Sequence, residues 1–361
     1  MAEELKHDRR QFLGTVTLAL FGSVKGLVQP MKLGAVQPAM EGELRSLGGA
    51  TGWLNSQPLT APGLRGKVVL IDFCTYTCIN WLRTLPYVRA WAGKYKDHGL
   101  VVIGAHTPEF AFEKDLDNVR RAVQEMRVDY PIAIDNDYAI WRGFGNNYWP
   151  ALYLIDAKGA IKHRQFGEGG YEQAEGTIQK LLAEAGAADI GRETVTVTGQ
   201  GFEAAADWDT LRSLETYLGS DRAERFVSAR GVRPASGHLY TVPPTVRLNE
   251  WAVAGDWTQE GQPFRLNAPN GRIVTRFHSR DLHLVMGPAV RGTSVRYRVR
   301  LDGQVPGSAH GLDIDAQGQG TVTQQRLYQL IRQPAGASTA DRQFEVEFLD
   351  AGVEAFVFTF G

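Results

Sequence analysis

The sequence has very little cysteine, because its 361 residues include only Cys74 and Cys78. A secreted scaffold held by several disulfides and a cysteine-rich zinc module are therefore both excluded. An excess of one charge is also lacking, since 39 Lys and Arg stand against 40 Asp and Glu. A chain so close to neutral has no general attraction for nucleic acid or an acidic membrane. We therefore expect no nucleic-acid partner, and any partner must be recognised locally.

Long hydrophobic runs are also absent, so no segment after the first thirty residues is a candidate for a membrane-spanning helix. The beginning of the chain has a pair of arginines, Arg9 and Arg10, followed by the weakly apolar stretch 15–24. This pattern resembles the signal of the twin-arginine export route. It predicts a signal and processing region over residues 1–35 and an exported, periplasmic or extracytoplasmic protein. The alternative is the basic start of an ordinary amphipathic helix.

The middle of the chain alternates between strand and helix patterns. Residues 68–73, 100–105 and 151–155 are apolar, largely β-branched runs that are typical of strands buried on both faces. Helical periodicity separates these runs at about residues 79–96 and 113–127. Strands that alternate with helices predict an α/β sheet.

The end of this sheet is predicted to be an antiparallel hairpin. A turn signal at residues 156–159 joins the strand 151–155 to a further strand at 161–166. A last helix over residues 171–185 closes the domain, which we place at residues 46–186.

The second half of the chain has the periodicity of two that half-buried antiparallel strands show. In Val295–Leu301, for example, apolar residues alternate with arginines. Roughly eight such strands predict an all-β sandwich or jelly roll over residues 238–361. Its last two strands, 344–349 and 353–360, are expected to pair as a hairpin.

A linker is predicted between the two domains. Small and polar residues without a sustained period fill much of residues 187–237. Trp208 and Tyr217 are expected to anchor this linker by packing.

The junction between the first strand and the first helix carries the most specific motif. It reads Asp72-Phe73-Cys74-Thr75-Tyr76-Thr77-Cys78-Ile79-Asn80-Trp81, and Tyr148-Trp149-Pro150-Ala151 precedes a later strand. Together these motifs resemble the thioredoxin fold. More narrowly, residues 52–55, residues 106–110 and the carboxyl-terminal half resemble DipZ-type proteins, whose last module is similar to a carbohydrate-binding β-sandwich. The resemblance covers roughly residues 50–361 and implies an exported thiol-disulfide oxidoreductase without a cofactor.

The motif departs from the family's usual pattern, which is Phe-Trp, three residues, and then Cys-x-x-Cys. Cys74 stands in place of the Trp, and Trp81 stands in place of the second Cys. Cys78 keeps the position of the attacking thiol at the start of a helix, where backbone N–H groups and the helix dipole favour a thiolate. The resemblance therefore implies that Cys78 is the nucleophile.

A dithiol reductase releases its product through a second thiol, which Trp81 cannot supply. Cys74 is the internal candidate and an external thiol is the alternative. A disulfide between Cys74 and Cys78 requires the intervening loop to turn back until the two Cα atoms come within about 4.4–6.8 Å. The sequence leaves this disulfide open, and two buried, inert cysteines are a further alternative.

Other residues are assigned to the same site. By the resemblance, Asp72 matches a buried carboxylate that relays a proton for the second thiol, and Pro150 matches a cis-proline that faces the attacking cysteine. His106 and Glu109 follow a strand at the end of the sheet where ligands bind, so each is a candidate acid or base, with an ordinary surface role as the alternative. Further substrate contacts are expected from Tyr76, Trp81 and Trp149.

Protein thiols or disulfides are the expected substrates, and the resemblance implies a separate membrane reductase as the electron donor. No metal signature is present. Residues 238–361 are a candidate surface for a carbohydrate or the cell envelope. Trp251, Trp257 and Tyr240 are candidates for an aromatic binding platform there, and the alternative is a place in the core.

Two other functions stay open. Thr75 and Cys78 match the last part of the Pro-x-x-x-Thr-x-x-Cys loop of peroxiredoxins, although Ile71 stands in place of the proline. A thiol peroxidase is therefore one alternative. The other is a redox-inactive protein that binds peptide or carbohydrate on a thioredoxin scaffold, which the exchange of cysteine for tryptophan favours.

Overall fold

The computed structural model describes residues 42–228, 237–334 and 339–361. The predicted signal region, residues 1–35, lies outside the described residues. Within the described ranges, no helix has both the length and the apolar character that crossing a bilayer requires.

Packing divides the chain into two compact units, and the division falls inside the cysteine motif. The first unit contains residues 42–74 together with residues 88–107 and 129–195. The second contains Thr75–Tyr87, Pro108–Val128 and Thr196–Gly361. Cys74 and Cys78 therefore belong to different units.

The first unit is built on a six-stranded sheet. Its strands are β1 (Gly52–Leu54), β2 (Val68–Cys74), β3 (Leu100–His106), β4 (Ile132–Ile134), β5 (Ala151–Ile155) and β6 (Ile161–Phe166). Their spatial order is β1-β4-β3-β2-β5-β6, with β2, β3 and β4 parallel and the others antiparallel to their neighbours. The predicted α/β thioredoxin-like sheet, including the hairpin of β5 and β6, is confirmed.

Strand β2 is buried at all seven positions because both faces of the sheet are covered. Val69, Ile71 and Phe73 enter one hydrophobic cluster with residues of β3, β4 and β5. Since successive side chains of a strand point to opposite faces, Asp72 and Cys74 lie together on the other face. This alternation places the two polar residues of the motif side by side.

Four α-helices lie in the described part of the chain. They are α1 (Ile79–Tyr95), α2 (Leu116–Glu125), α3 (Ala139–Gly143) and α4 (Tyr171–Glu184). Helix α2 begins later than the periodicity predicts because Asp115 caps it, accepting the N–H groups of Asp117 and Asn118. A short 3₁₀ helix, Ala111–Lys114, precedes this cap.

The second unit contains an eleven-stranded antiparallel sheet. Its strands are β7 (Thr216–Tyr217), β8 (Gly237–Tyr240), β9 (Trp251–Gln259), β10 (Phe264–Leu266), β11 (Gly271–Phe277), β12 (Asp281–Pro288), β13 (Val295–Leu301), β14 (Gln319–Val322), β15 (Arg326–Arg332), β16 (Arg342–Phe348) and β17 (Val353–Phe360). The main order is β14-β13-β16-β11-β9-β10-β17-β12-β15, with β7 beside β17 and β8 beside β9. The predicted all-β second domain is confirmed.

Strand β9 joins two halves of this sheet. Its first four residues pair with β11, and the residues from Gly255 onward pair with β8 and β10. Gly255 has φ +104°, and a Cβ atom there would lie 2.9 Å from the backbone of Gly271. A glycine is therefore required where the strand changes partners. Residues from both halves enclose one hydrophobic core.

The candidate aromatic platform on this domain does not form, and the alternative, a place in the core, is what the structure shows. Trp251 and Trp257 are fully buried and Tyr240 is only 1% exposed, and all three belong to the core. Both indole N–H groups donate to backbone carbonyls, those of Glu224 and Ala254, so each ring is satisfied inside the domain.

Two further expectations need correction. Trp208 is 51% exposed and does not pack as an anchor, whereas Tyr217 is held in strand β7. Strands β16 and β17 do not form a hairpin, because β16 pairs with β11 and β13 while β17 pairs with β7, β10 and β12. The turn between them forms hydrogen bonds to other parts of the sheet: the Leu349 N–H donates to the Arg296 carbonyl, and the Gly352 N–H donates to the Leu266 carbonyl. It crosses between the two halves of the sheet.

Candidate functional site

Cys78 lies immediately before the first residue of α1. Its N–H donates to the carbonyl of Thr75 at 3.1 Å, and its own carbonyl accepts the N–H of Leu82 at 2.9 Å. Residues 75–78 therefore form a turn that leads directly into a 17-residue helix. At such an end the first N–H groups have no partner within the helix, and the helix dipole is positive, so a thiolate is favoured.

The loop before Cys78 is held by a buried carboxylate that the sequence did not single out. The Thr77 hydroxyl donates to Glu113 Oε1 at 2.6 Å. Glu113 Oε2 accepts the backbone N–H groups of Glu109 and Phe110 at 2.6 and 2.9 Å. Burial, and secondly the charge of Glu109, raises the pKa of Glu113. Glu113 therefore fixes the residue next to Cys78.

Tyr76 is buried in the second unit. Its hydroxyl donates to the backbone carbonyl of Gln325 at 3.3 Å, and its ring meets the edge of Phe112. Burial, and secondly the charge of Glu113, raises the pKa of Tyr76. The side chain of Gln325 accepts a further bond from Asn118 of α2 at 3.4 Å. The cysteine loop and α2 are thus both bonded to the same residue of the β domain.

Glu109, a candidate acid or base, is engaged in an ion pair. Its Oε1 accepts the Tyr217 hydroxyl at 2.6 Å and Arg222 Nη1 at 3.0 Å, and the carboxylate side chain is 4% exposed. The Arg222 guanidinium also lies over the Tyr217 ring, 3.6 Å from its centre. These contacts join the segment after β3 to the β domain.

Asp72 and Cys74 lie at the end of β2 in the first unit. The Tyr130 hydroxyl donates to Asp72 Oδ2 at 3.4 Å. Burial, followed by the charges of Asp72 and Cys74, raises the pKa of Tyr130 well above its ordinary value. A Cβ atom on Gly104 would lie 2.5 Å from Ile132 Cδ1 and 3.3 Å from Tyr130 Cε2, which shows why this position of β3 carries a glycine. Tyr130 is a second residue that the sequence did not single out.

His106 is the partner of Cys74 on the neighbouring parallel strand. Its side chain is 2% exposed, and burial lowers the pKa of the imidazole to about 4. His106 is therefore neutral at pH 7. The backbone beside it is fixed as well, because the Thr107 N–H donates to the Cys74 carbonyl at 3.0 Å.

The peptide bond between Trp149 and Pro150 is cis, as the resemblance implies. Trp149 Nε1 donates to the Thr107 carbonyl at 3.1 Å, and its ring lies against Trp141 with centroids 4.2 Å apart. Trp149 and Pro150 therefore belong to the same end of the sheet as Cys74 and His106. Their predicted role in substrate binding stays a prediction.

Both cysteines are described, and both are buried. Cys74 is 2% exposed and Cys78 is 3% exposed, and Trp81 is equally buried. The first unit contains Asp72, Cys74, His106, Trp149 and Pro150, and the second contains Tyr76, Cys78, Trp81 and Glu109. Among the described residues, no group of three or more His, Cys, Asp or Glu side chains is placed to hold a metal ion.

Two family models match the chain. The model described as "AhpC/TSA family" matches residues 47–164, and the model described as "Thioredoxin like C-terminal domain" matches residues 213–361. They correspond to the α/β sheet and to most of the antiparallel β domain.

Curated relatives match as well. The protein DipZ of Mycobacterium tuberculosis is 38% identical over 268 residues, which are 73% of this chain and 38% of DipZ. The chain therefore spans well under half the length of that relative. The thiol-disulfide oxidoreductase YkuV of Bacillus subtilis is 30% identical over 154 residues, which are 43% of this chain and 99% of YkuV. Among solved structures, a thioredoxin-like protein in the oxidized form is 31% identical to this chain. The match covers 40% of this chain and 98% of the chain in that structure, with a TM-score of 0.37.

Proposed function

The chain belongs to the thioredoxin-like family of thiol-disulfide oxidoreductases, and from that premise we propose that it exchanges disulfides with protein substrates through Cys78. The position of Cys78 at the amino-terminal end of α1 carries this proposal. That position stabilises a thiolate, and the thiolate is the form of cysteine that attacks a disulfide.

In the proposed reaction, the Cys78 thiolate attacks one sulfur of a substrate disulfide. A bond forms between Cys78 and that sulfur, the substrate S–S bond breaks, and the leaving thiolate takes up a proton from solvent. A second thiol then attacks Cys78 Sγ and releases the reduced substrate. If that thiol is Cys74, the product is a Cys74–Cys78 disulfide and two electrons have passed to the substrate.

Formation of the Cys74–Cys78 disulfide is the part of the proposal that depends most on the unusual motif. Trp81 occupies the usual place of the second cysteine, so Cys74 or an external thiol must resolve the mixed disulfide. We propose Cys74, with Asp72 as the carboxylate that handles its proton and a separate membrane reductase as the source of electrons. Trp149 and Pro150 would present the extended substrate.

Reduction of insulin by dithiothreitol, followed by turbidity, tests the proposal. The wild type should accelerate precipitation, and Cys78→Ser should return the rate to that of dithiothreitol alone. Cys74→Ser, reduced beforehand and then mixed with insulin in the absence of dithiothreitol, should retain the first step and accumulate a mixed disulfide, which mass spectrometry of the quenched reaction detects. Equal background rates for wild type and Cys78→Ser would instead favour a redox-inactive binding protein on this scaffold.

The match to the AhpC/TSA family model, together with Thr75 three residues before Cys78, favours a thiol peroxidase as the second candidate. In that reaction the Cys78 thiolate attacks peroxide, water leaves, and Cys78 becomes a sulfenic acid that an external thiol reduces. Peroxide consumption that depends on Cys78 but is unchanged in Cys74→Ser would support this candidate over the disulfide exchange.

We further propose that the protein is exported by the twin-arginine route, on the strength of Arg9 and Arg10. Replacing both arginines by lysine should leave the protein in the cytoplasmic fraction, whereas the wild type should appear in the envelope fraction. Equal distribution of the two forms would contradict this route.

A further inference from the structure

An open pocket of about 530 Å³ lies on the second unit, in a volume range typical of small-molecule sites. Arg280 and Arg332 line it, together with Ser308 and His310. None of these residues takes part in the cysteine chemistry proposed above.

The two arginines are fixed by one buried carboxylate. Arg332 donates from Nε and Nη2 to the two oxygens of Asp281 at 2.8 and 3.0 Å. Arg280 donates from Nε and Nη2 to Asp281 Oδ2 at 3.2 and 2.7 Å. Asp281 is fully buried, while both arginine side chains are about a quarter exposed. The guanidinium groups therefore hold their positions before any ligand arrives.

This arrangement leaves hydrogen-bond donors available to a ligand in the pocket. Within the described part of the chain, the Nη1 groups of Arg280 and Arg332 take part in no hydrogen bond. Two guanidinium charges against one carboxylate also leave a net charge of +1 at the triad. The neighbouring Gln333 is occupied, since it donates to the Ser279 carbonyl and accepts from Arg342, so it forms a fixed neutral wall.

We propose that this pocket binds the carboxylate group of a small ligand. Guanidinium N–H groups match the geometry of both carboxylate and phosphate oxygens. The net charge decides between them, because one positive charge balances a carboxylate and only half of a phosphate dianion. A carboxylate on a sugar acid and one at the end of a peptide offer the same group, and the experiment separates these two sources.

Titration of the ¹⁵N-labelled full chain, followed by NMR amide shifts, tests the proposal with sodium glucuronate, N-acetylglycine and glucose as probes. Saturable shifts at Arg280, Arg332 and their neighbours are expected with a carboxylate probe and not with glucose. A response to glucuronate alone identifies a sugar acid, a response to N-acetylglycine alone identifies a peptide, and a response to both identifies the carboxylate itself. No saturable shift with either acid, or an equal response to glucose, would overturn the proposal.

Ser308 provides a matched pair of variants because it is exposed and lines the pocket without touching Asp281. Ser308→Glu places a negative charge in the pocket and should weaken the binding of the responding acid by about tenfold or more, since like charges in contact repel. Ser308→Gln has nearly the same shape without the charge and should bind within about threefold of the wild type. Equal affinities for the two variants would contradict the site. Substitution of either arginine is avoided, because it would leave Asp281 buried with only one partner.

Discussion

The hydroxyl of Thr77 donates a 2.6 Å hydrogen bond to the buried carboxylate of Glu113, one residue before the cysteine at the start of α1. Glu113 accepts two backbone N–H groups as well. The loop that carries Cys78 is therefore held by a side chain from the segment between β3 and α2, and the reactivity of Cys78 should depend on that side chain.

Glu113→Ala should destabilise the protein and expose Cys78. Three donors lose their acceptor, each at a cost of about 1–3 kcal/mol in the free energy of unfolding. In a Cys74→Ser background, alkylation of Cys78 by iodoacetamide should become faster because the loop is released. Urea unfolding and mass-spectrometric alkylation rates measure the two effects.

Glu113→Gln is the matched variant for this experiment. Its amide oxygen can accept both backbone N–H groups, and its NH₂ group can donate to the Thr77 hydroxyl, so stability and alkylation should stay close to the wild type. Glu125→Ala, at an exposed position of α2, controls for loss of a carboxylate alone. Alkylation of Cys78 at the same rate in Glu113→Ala and Glu125→Ala would show that Glu113 does not hold the loop.

Arg222→Met should destabilise the protein by about 3–5 kcal/mol, because it leaves the carboxylate of Glu109 buried without its cation. The double variant Arg222→Met with Glu109→Gln should recover much of that loss, since no buried charge is left without its counter-ion. Urea unfolding of the wild type, both single variants and the double variant forms a thermodynamic cycle. Strictly additive effects would mean that the pair contributes no coupling.

Glu109 and Glu113 differ in how well the sequence alone predicts their surroundings. Both lie in a short segment after β3, and spacing along the chain identifies Glu109 as a site candidate while Glu113 looks like the first turn of an exposed helix. The structure differs from this expectation, because Glu113 is buried and accepts a hydrogen bond from Thr77. The partners of Glu109, Tyr217 and Arg222, come from more than a hundred residues away. No local pattern in the sequence predicts contacts between residues so far apart along the chain.

The strands were easier to predict than their partners. Strand β2 is an unbroken β-branched run, so its burial follows from composition alone. The alternating pattern also predicts strands β16 and β17, but a short turn between two strands does not reveal whether they pair with each other. The sequence does not show whether Trp251 and Trp257 lie in the core or on a binding surface, because both places favour the same residue type.

The contribution of two buried, neutral histidines to stability should be lost as the pH drops below about 6.5. Burial lowers the pKa of His106 to about 4, and burial together with the nearby Arg83 lowers that of His283 to about 3. Below pH 6.5 the unfolded chain binds protons that the folded chain excludes, so the stabilisation is complete above that pH and is lost on acidification. Each group contributes a slope of about 1.4 kcal/mol per pH unit.

Substitution of one histidine isolates its contribution. His283→Met should lower the slope of the free energy of unfolding against pH between about pH 4.5 and 6. The expected decrease is about 1.4 kcal/mol per pH unit, which is the contribution of one titrating group. Urea unfolding at several pH values measures this slope. His98→Met, at a partly exposed position before β3, is the matched control for replacing a histidine by methionine. Parallel curves for wild type and His283→Met would show that His283 is not held neutral.

Trp81→Cys should create an efficient resolving thiol for Cys78. Cys78 directly precedes α1, and residue 81 lies three positions further along, which places both on the same side of the first helical turn. In a Cys74→Ser background, Trp81→Cys should reduce insulin about tenfold or more faster than Trp81→Ala, because the second thiol attacks within the same molecule. Both variants lose the same buried indole and so carry a similar stability cost of about 3–5 kcal/mol. Thiol counts of the oxidised protein should fall by two only in the cysteine variant. If the two variants reduce insulin equally, position 81 is not the place of the second cysteine, and the correspondence that assigns Cys78 as the attacking thiol loses its support.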